Sequence, residues 1–192
     1  MLDDKNINVR LQAIESLGHI KNPSAIPHLQ KIYENATNLK IHRAAAKALI
    51  EISNPQRTDI IIKIATHPDK LIPPRFQAIL ALGDIGTDEA KETLIEIAKT
   101  DKTDLYRTKA IKALGKCHAK GALPVLSNLL KAQEKTREKW RKIRDEQAPE
   151  DDKKYKKWQN RLNQYKPKIF LEYELGYAIT LIDPENEGIN LL

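Results

Sequence analysis

One twelve-residue pattern returns at a nearly constant spacing, and this constrains the fold more than any other feature of the chain. It runs from Val9 through Arg10, Ala13, Leu17 and Gly18 to Ile20. It returns from Pro74 through Arg75, Ala78, Leu82 and Gly83 to Ile85, and again from Tyr106 through Arg107, Ala110, Leu114 and Gly115 to Cys117. A weaker copy spans Ile41 to Ile52. The anchors Ala13, Ala45, Ala78 and Ala110, with Leu17, Leu49, Leu82 and Leu114, are separated by steps of 32, 33 and 32 residues. A period of this length is the mark of a stacked-repeat architecture.

A second apolar set follows each copy: Leu29 and Ile32, Ile61 and Ile64, Leu94 and Ile97, Leu126 and Leu129. Spacings of three and four residues are the helical period, so each unit reads as helix, turn, helix. Pro23 and Pro55 fall in turns, and Pro27 and Pro124 near second-helix starts. Gly18, Gly83 and Gly115 sit near the ends of first helices, where a C-terminal stop is expected. Such a pair cannot bury its apolar stripe alone, and stacking neighbours completes the core.

A polar pattern rides on the same register. Asp4 and Arg10, Asp69 and Arg75, Asp101 and Arg107 are each six apart, with Asp in the turn and Arg in the following helix. The expected role is a structural ladder: the carboxylate caps amides at the helix start, and the guanidinium bonds it or a neighbour's turn. The second copy departs from this, carrying Ala36 and His42 instead.

The sequence from Val9 to Ile20, followed by Ala25, Ile26, Pro27 and Leu29, resembles the HEAT-like repeats first noted in phycobilisome lyases. The resemblance covers residues 3 to 131. It implies an all-α, right-handed alpha-alpha superhelix, a solenoid of about five helical pairs. It implies a scaffold for binding another protein, with second helices lining the concave face. His28, Lys31, Lys63, Glu96 and Asn128 are the candidate contacts there. Two other functions belong to similar proteins: handling a bilin chromophore, as in the E/F-type lyase subunits, and binding DNA, as in HEAT-like alkylation-repair proteins. No residue of this chain maps to the lyase chemistry.

The expected organisation is four repeats over 1–131, an inserted helical hairpin over 132–167, and a truncated fifth repeat over 168–192. In that last segment Ile179 takes the place of Leu17 and Leu191 that of Leu29. The ending on Leu191 and Leu192 suggests a piece of a longer solenoid. Lys131 to Lys168 holds 14 Lys plus Arg against 7 Asp plus Glu, which is the whole formal net charge of +7; the rest balances at 19 against 19. Trp140 and Trp158 are equidistant from Pro149, so an antiparallel hairpin would set them opposite each other, with Ile143 near Tyr155. Arg137, Arg141, Lys156 and Arg161 are candidate contacts on this arm. Acidic residues are interleaved with the basic ones, so the arm reads as a solvated helix pair, and nucleic acid is not the expected partner.

Composition agrees. Leu, Ile and Ala total 64 residues against 2 Val and 2 Phe, a balance against an all-β domain. No apolar run reaches the ~20 residues of a membrane span, and the first five residues do not read as a secretory leader. One cysteine excludes an internal disulfide and fits a reducing, cytoplasmic setting. Cys117 shares a column with Ile20, Ile52 and Ile85 and reads as a small buried hydrophobe. No catalytic, cofactor-binding or metal-ligating set emerges.

Overall fold

The computed structural model describes residues 2–52, 58–67, 73–145, 152–164 and 169–184. These form ten α-helices: α1 (Ile7–Ile20), α2 (Ile26–Asn35), α3 (Leu39–Glu51), α4 (Thr58–Ala65), α5 (Pro73–Ile85), α6 (Asp88–Thr100), α7 (Asp104–Lys116), α8 (Leu123–Asp145), α9 (Asp152–Gln164) and α10 (Ile169–Ile182). No strand occurs among the described residues. Single 3-10 turns, Pro23–Ala25 and Lys120–Ala122, lead into α2 and α8.

Local chemistry sets the helix boundaries. Asn6, Asn22 and Asn38 each accept a backbone hydrogen bond two residues on, at 2.9 to 3.0 Å, and Thr87 caps α6 through Ala90 at 3.3 Å. These side chains satisfy amides that a helix start leaves unpaired. After α1, α5 and α7 the chain turns through a left-handed residue: Lys21 at φ 56°, Gly86 at φ 64° and His118 at φ 48°.

Gly18, Gly83 and Gly115 are therefore not the helix stops that their position suggested. Each lies inside its helix, three residues before the left-handed one. What they provide is close approach. A Cβ on Gly18 would come within 2.9 Å of the Ala48 backbone, on Gly83 within 3.0 Å of the Ala113 backbone, and on Gly115 within 2.9 Å of the Ala178 backbone. Each glycine thus meets an alanine of the next first helix, and any side chain there would push the helices apart.

The first helices α1, α3, α5, α7 and α10 stack in that order as one layer, and α10 packs most extensively on α7. Thus α10 extends the first-helix layer beyond α7, with Leu175 and Ile179 fully buried. The second helices α2, α4 and α6 pack chiefly on the first helix that follows them in sequence, α3, α5 and α7. The core lies between the layers. Ala45, Ala78 and Ala110 are inaccessible, as are Leu29, Ile61, Leu94 and Leu126. Ala13 and Leu17 share those columns but are only half-buried, because α1 has no preceding helix against it among the described residues.

The second helix of repeat four does not stop with the core. At 23 residues, α8 is ten longer than α6, an overhang of about 15 Å at the usual rise per residue. The antiparallel α9 folds back on this overhang.

Candidate interaction surface

The polar candidates of the second helices share one geometry. Lys31, Lys63, Glu96 and Asn128 stand one repeat apart and all are exposed, as is His28 one turn before Lys31. Opposite faces of the same helices carry Leu29, Ile61, Leu94 and Leu126 into the core. The helical period thus turns one polar column outward along α2, α4, α6 and α8.

The column is partly cross-braced. Lys63 Nζ donates to Glu34 Oε1 at 2.6 Å, tying α4 to α2. That bond, with a second from Gln30, holds the Glu34 carboxyl below its usual range. Glu96 lies 3.8 Å from Lys99 on its own helix. The side chains of His28, Lys31 and Asn128 bond to nothing among the described residues.

Of the two partners expected for the ladder guanidinium, Arg75 takes the neighbour's turn. Arg75, only 7 % exposed, donates from Nε to the Ala65 carbonyl at the end of α4, at 2.8 Å. Its Nη2 bonds Asp101, in the turn of the next repeat, and its guanidinium lies 4.3 Å from the Tyr106 ring centre. Arg107 repeats the first bond, from Nε to the Ala98 carbonyl at 3.0 Å, and has Asp104 3.6 Å from Nη1. Asp101 and Asp4 also accept from amides two residues on, Thr103 and Asn6, both at 2.8 Å. The Arg rung thus spans three repeats: backward to a helix end and forward to a turn. Asp69 lies outside the described residues, and the Arg10 side chain has no bond among them.

On the arm, Trp158 Nε1 donates to the Ile143 carbonyl at 3.0 Å, and Tyr155 stacks on Trp158 with ring centres 5.8 Å apart. The expected pairing of the two tryptophans is not what forms. Trp140 lies instead with the Arg144 guanidinium 5.0 Å from its ring centre. The register places Trp158 level with Ile143, and Ile143 is buried there. Arg137 is engaged too: its Nη1 lies 3.2 Å from Glu172, so it fastens α8 to α10. Arg141 and Lys156 are exposed, and the Arg161 side chain and Pro149 lie outside the described residues.

Reactive chemistry is sparse. Burial raises the pKa of the half-buried Cys117 thiol, whose Sγ lies 3.5 Å from the Leu114 carbonyl, so it stays protonated at neutral pH. No group of three His, Cys, Asp or Glu among the described residues could hold a metal ion. Sequence reasoning missed one cluster. Tyr33 stacks on His42 at 4.5 Å, and His67 meets both rings edge-on at 6.4 and 5.6 Å. His42 occupies the ladder-Arg column, and that departure from the pattern was the available signal.

A two-layer stack of helices repeating every 32 to 33 residues is an α-solenoid. Family models for HEAT repeats match residues 1–73, 27–115 and 68–141, together residues 1–141. The chain belongs to the HEAT-repeat family. No curated protein matches it. No described helix is long and apolar enough to cross a membrane.

Proposed function

We propose that the chain is a scaffold that binds another protein through its second-helix column. The observation that carries this reading is the exposed alignment of Lys31, Lys63, Glu96 and Asn128, opposite the buried column of Leu29, Ile61, Leu94 and Leu126. Extended polar columns of this kind are what solenoids offer to long partners. The basic overhang of α8 and α9 adds a second contact. Its charge attracts an acidic partner, and because those charges are exposed the attraction weakens with salt.

The test begins with the full chain as bait in a native lysate, followed by purification of whatever is captured. Lys31→Glu and Asn128→Arg, both exposed, are expected to weaken the captured complex about tenfold or more without changing the melting temperature. Gln77→Glu, exposed on the first-helix layer, should leave binding unchanged. Unchanged affinity in both column variants would remove this surface from the function. Replacing residues 139–164 by a short Gly-rich linker keeps Arg137 on Glu172. It should leave the repeats folded and flatten the salt dependence of binding.

A further inference from the structure

The rung at Arg75 has an emptied counterpart one solenoid end away. Arg10, Ala36 and Ile41 stand 65 positions before Arg75, Asp101 and Tyr106. At the intact rung, Asp101 bonds the guanidinium and the Tyr106 ring covers it. At the first rung the acid has become alanine and the tyrosine isoleucine. A cavity of about 300 Å³ opens there, and its wall includes Arg10, Ala36 and Ile41 with His28 and Lys31 of α2. Arg10 Nε is buried without a partner, and neither Arg10, His28 nor Lys31 pairs with an acid among the described residues. Asp3 is the acid in that wall.

We infer that this cavity binds a carboxylate. The intact rung supplies the chemistry: a guanidinium in this column receives a carboxylate oxygen, with a flat ring against it. At the intact rung Nη2 takes the carboxylate while Nε takes the Ala65 carbonyl, and the Arg10 side chain makes neither bond among the described residues. A guanidinium is the group best shaped to receive a carboxylate there. His28 and Lys31 add positive charge at the same opening. The volume is at the lower limit for a ligand site, which suits one acidic side chain or one small acid. The scaffold reading bears on the source alone: it makes the carboxylate an acidic residue of the bound protein.

The experiment follows the Arg10 Nε–H signal by nuclear magnetic resonance in the full chain. The probes are N-acetyl-aspartyl-tyrosine amide, 4-hydroxybenzoate and inorganic phosphate, each to about 10 mM. Saturable shifts with the two carboxylates are expected. Ala36→Asp installs the missing acid, so it should raise the melting temperature and weaken probe binding by about tenfold or more. Arg10→Gln should abolish binding; if it fails to fold, Ala36→Asp still decides. No shift with either carboxylate, or Ala36→Asp binding as wild type does, overturns the proposal, as does phosphate binding as tightly as the carboxylates. Tighter binding of the peptide supports a partner side chain as the source, and tighter binding of 4-hydroxybenzoate overturns that source. No partner is needed, so failure here is separate from failure of the second-helix column.

Discussion

Three junctions in the first-helix layer are tight and one is loose. Between α1 and α3, α5 and α7, and α7 and α10, a glycine lies against an alanine with no room for a methyl group. Between α3 and α5 the glycine column holds Ile50, and these two helices pack less extensively than any other neighbours in the layer. A cavity of about 350 Å³ lies here, lined by Arg43 and Lys47 of α3, Gln77 of α5 and Glu15 of α1, among others. The charges change in step. His19 lies 3.6 Å from Glu51 across the first junction, and Lys116 bonds Asp84 across the third. At the second junction the same column sets Glu51 and Asp84, two acids. Helix separation in a solenoid is thus set locally, by one small residue per repeat, while the second layer carries on: α4 packs on α5 as fully as α6 does on α7.

The largest effect that tests this comparison is in the shared core. Leu82 is inaccessible, and Leu82→Ala should cost about 2–5 kcal/mol in chemical denaturation. Leu17→Ala, in the same column but half-buried, should cost less than half as much. Equal losses would mean that the stack is not graded from its N-terminal end inward.

Next come the glycines. Gly83→Ala places a methyl group 2.8 to 3.1 Å from Ala113 atoms, backbone included, so α5 and α7 must separate. Overpacking of this kind costs about 1–3 kcal/mol, although alanine is the better helix former. A melting temperature at or above wild type would show that these helices yield freely, and the tight and loose junctions would then differ in name only.

These contrasts bear on how much was readable from sequence. The period and the anchor columns predicted the helix pairs, because burial recurs in register and needs no knowledge of partners. The glycines were misread because a glycine near a helix end and a glycine at a close approach look alike in one dimension. Only the Ala48, Ala113 and Ala178 backbones opposite distinguish them. The ladder's residues were legible, and so was the reach to a neighbour's turn that Arg75 makes at Asp101. What spacing alone does not show is the backward bond from Arg75 Nε to the Ala65 carbonyl. The candidate column at Lys31, Lys63, Glu96 and Asn128 followed from the period; the cavity at Arg10 did not, since it comes from two truncations whose meaning depends on what Arg75 touches.

Tyr33 offers a smaller effect, on α2 of the first repeat, where its ring stacks on His42 of the copy that departs from the ladder. Its hydroxyl is buried without a hydrogen-bond partner. Burial, aided by the Glu34 charge, raises its pKa above the ordinary 10.0. The folded state therefore holds this proton more firmly than the unfolded one. The sign follows: stability is intact below about pH 10 and falls as pH rises toward the raised value. Tyr33→Phe removes an unsatisfied hydroxyl and should stabilise by about 1 kcal/mol, while flattening that alkaline decline. Destabilisation would mean that the hydroxyl has a partner.

The smallest effect tests the charge column at the loose junction. Glu51→Lys would place a cation in the column that holds Asp84 on the next helix, restoring the alternation seen across the third junction. It also removes Glu51 from His19 and from Lys47, 3.7 Å away. Both new partners are solvent-accessible, so the net change should be within about 0.5 kcal/mol and should shrink in high salt. The informative comparison is Glu51→Lys with Ile50→Gly. If Ile50 holds α3 and α5 apart, the added glycine lets them close, and the charge swap should then contribute more in the double variant than alone. Strict additivity would show that residue 50 does not set the separation and that the loose junction has another cause.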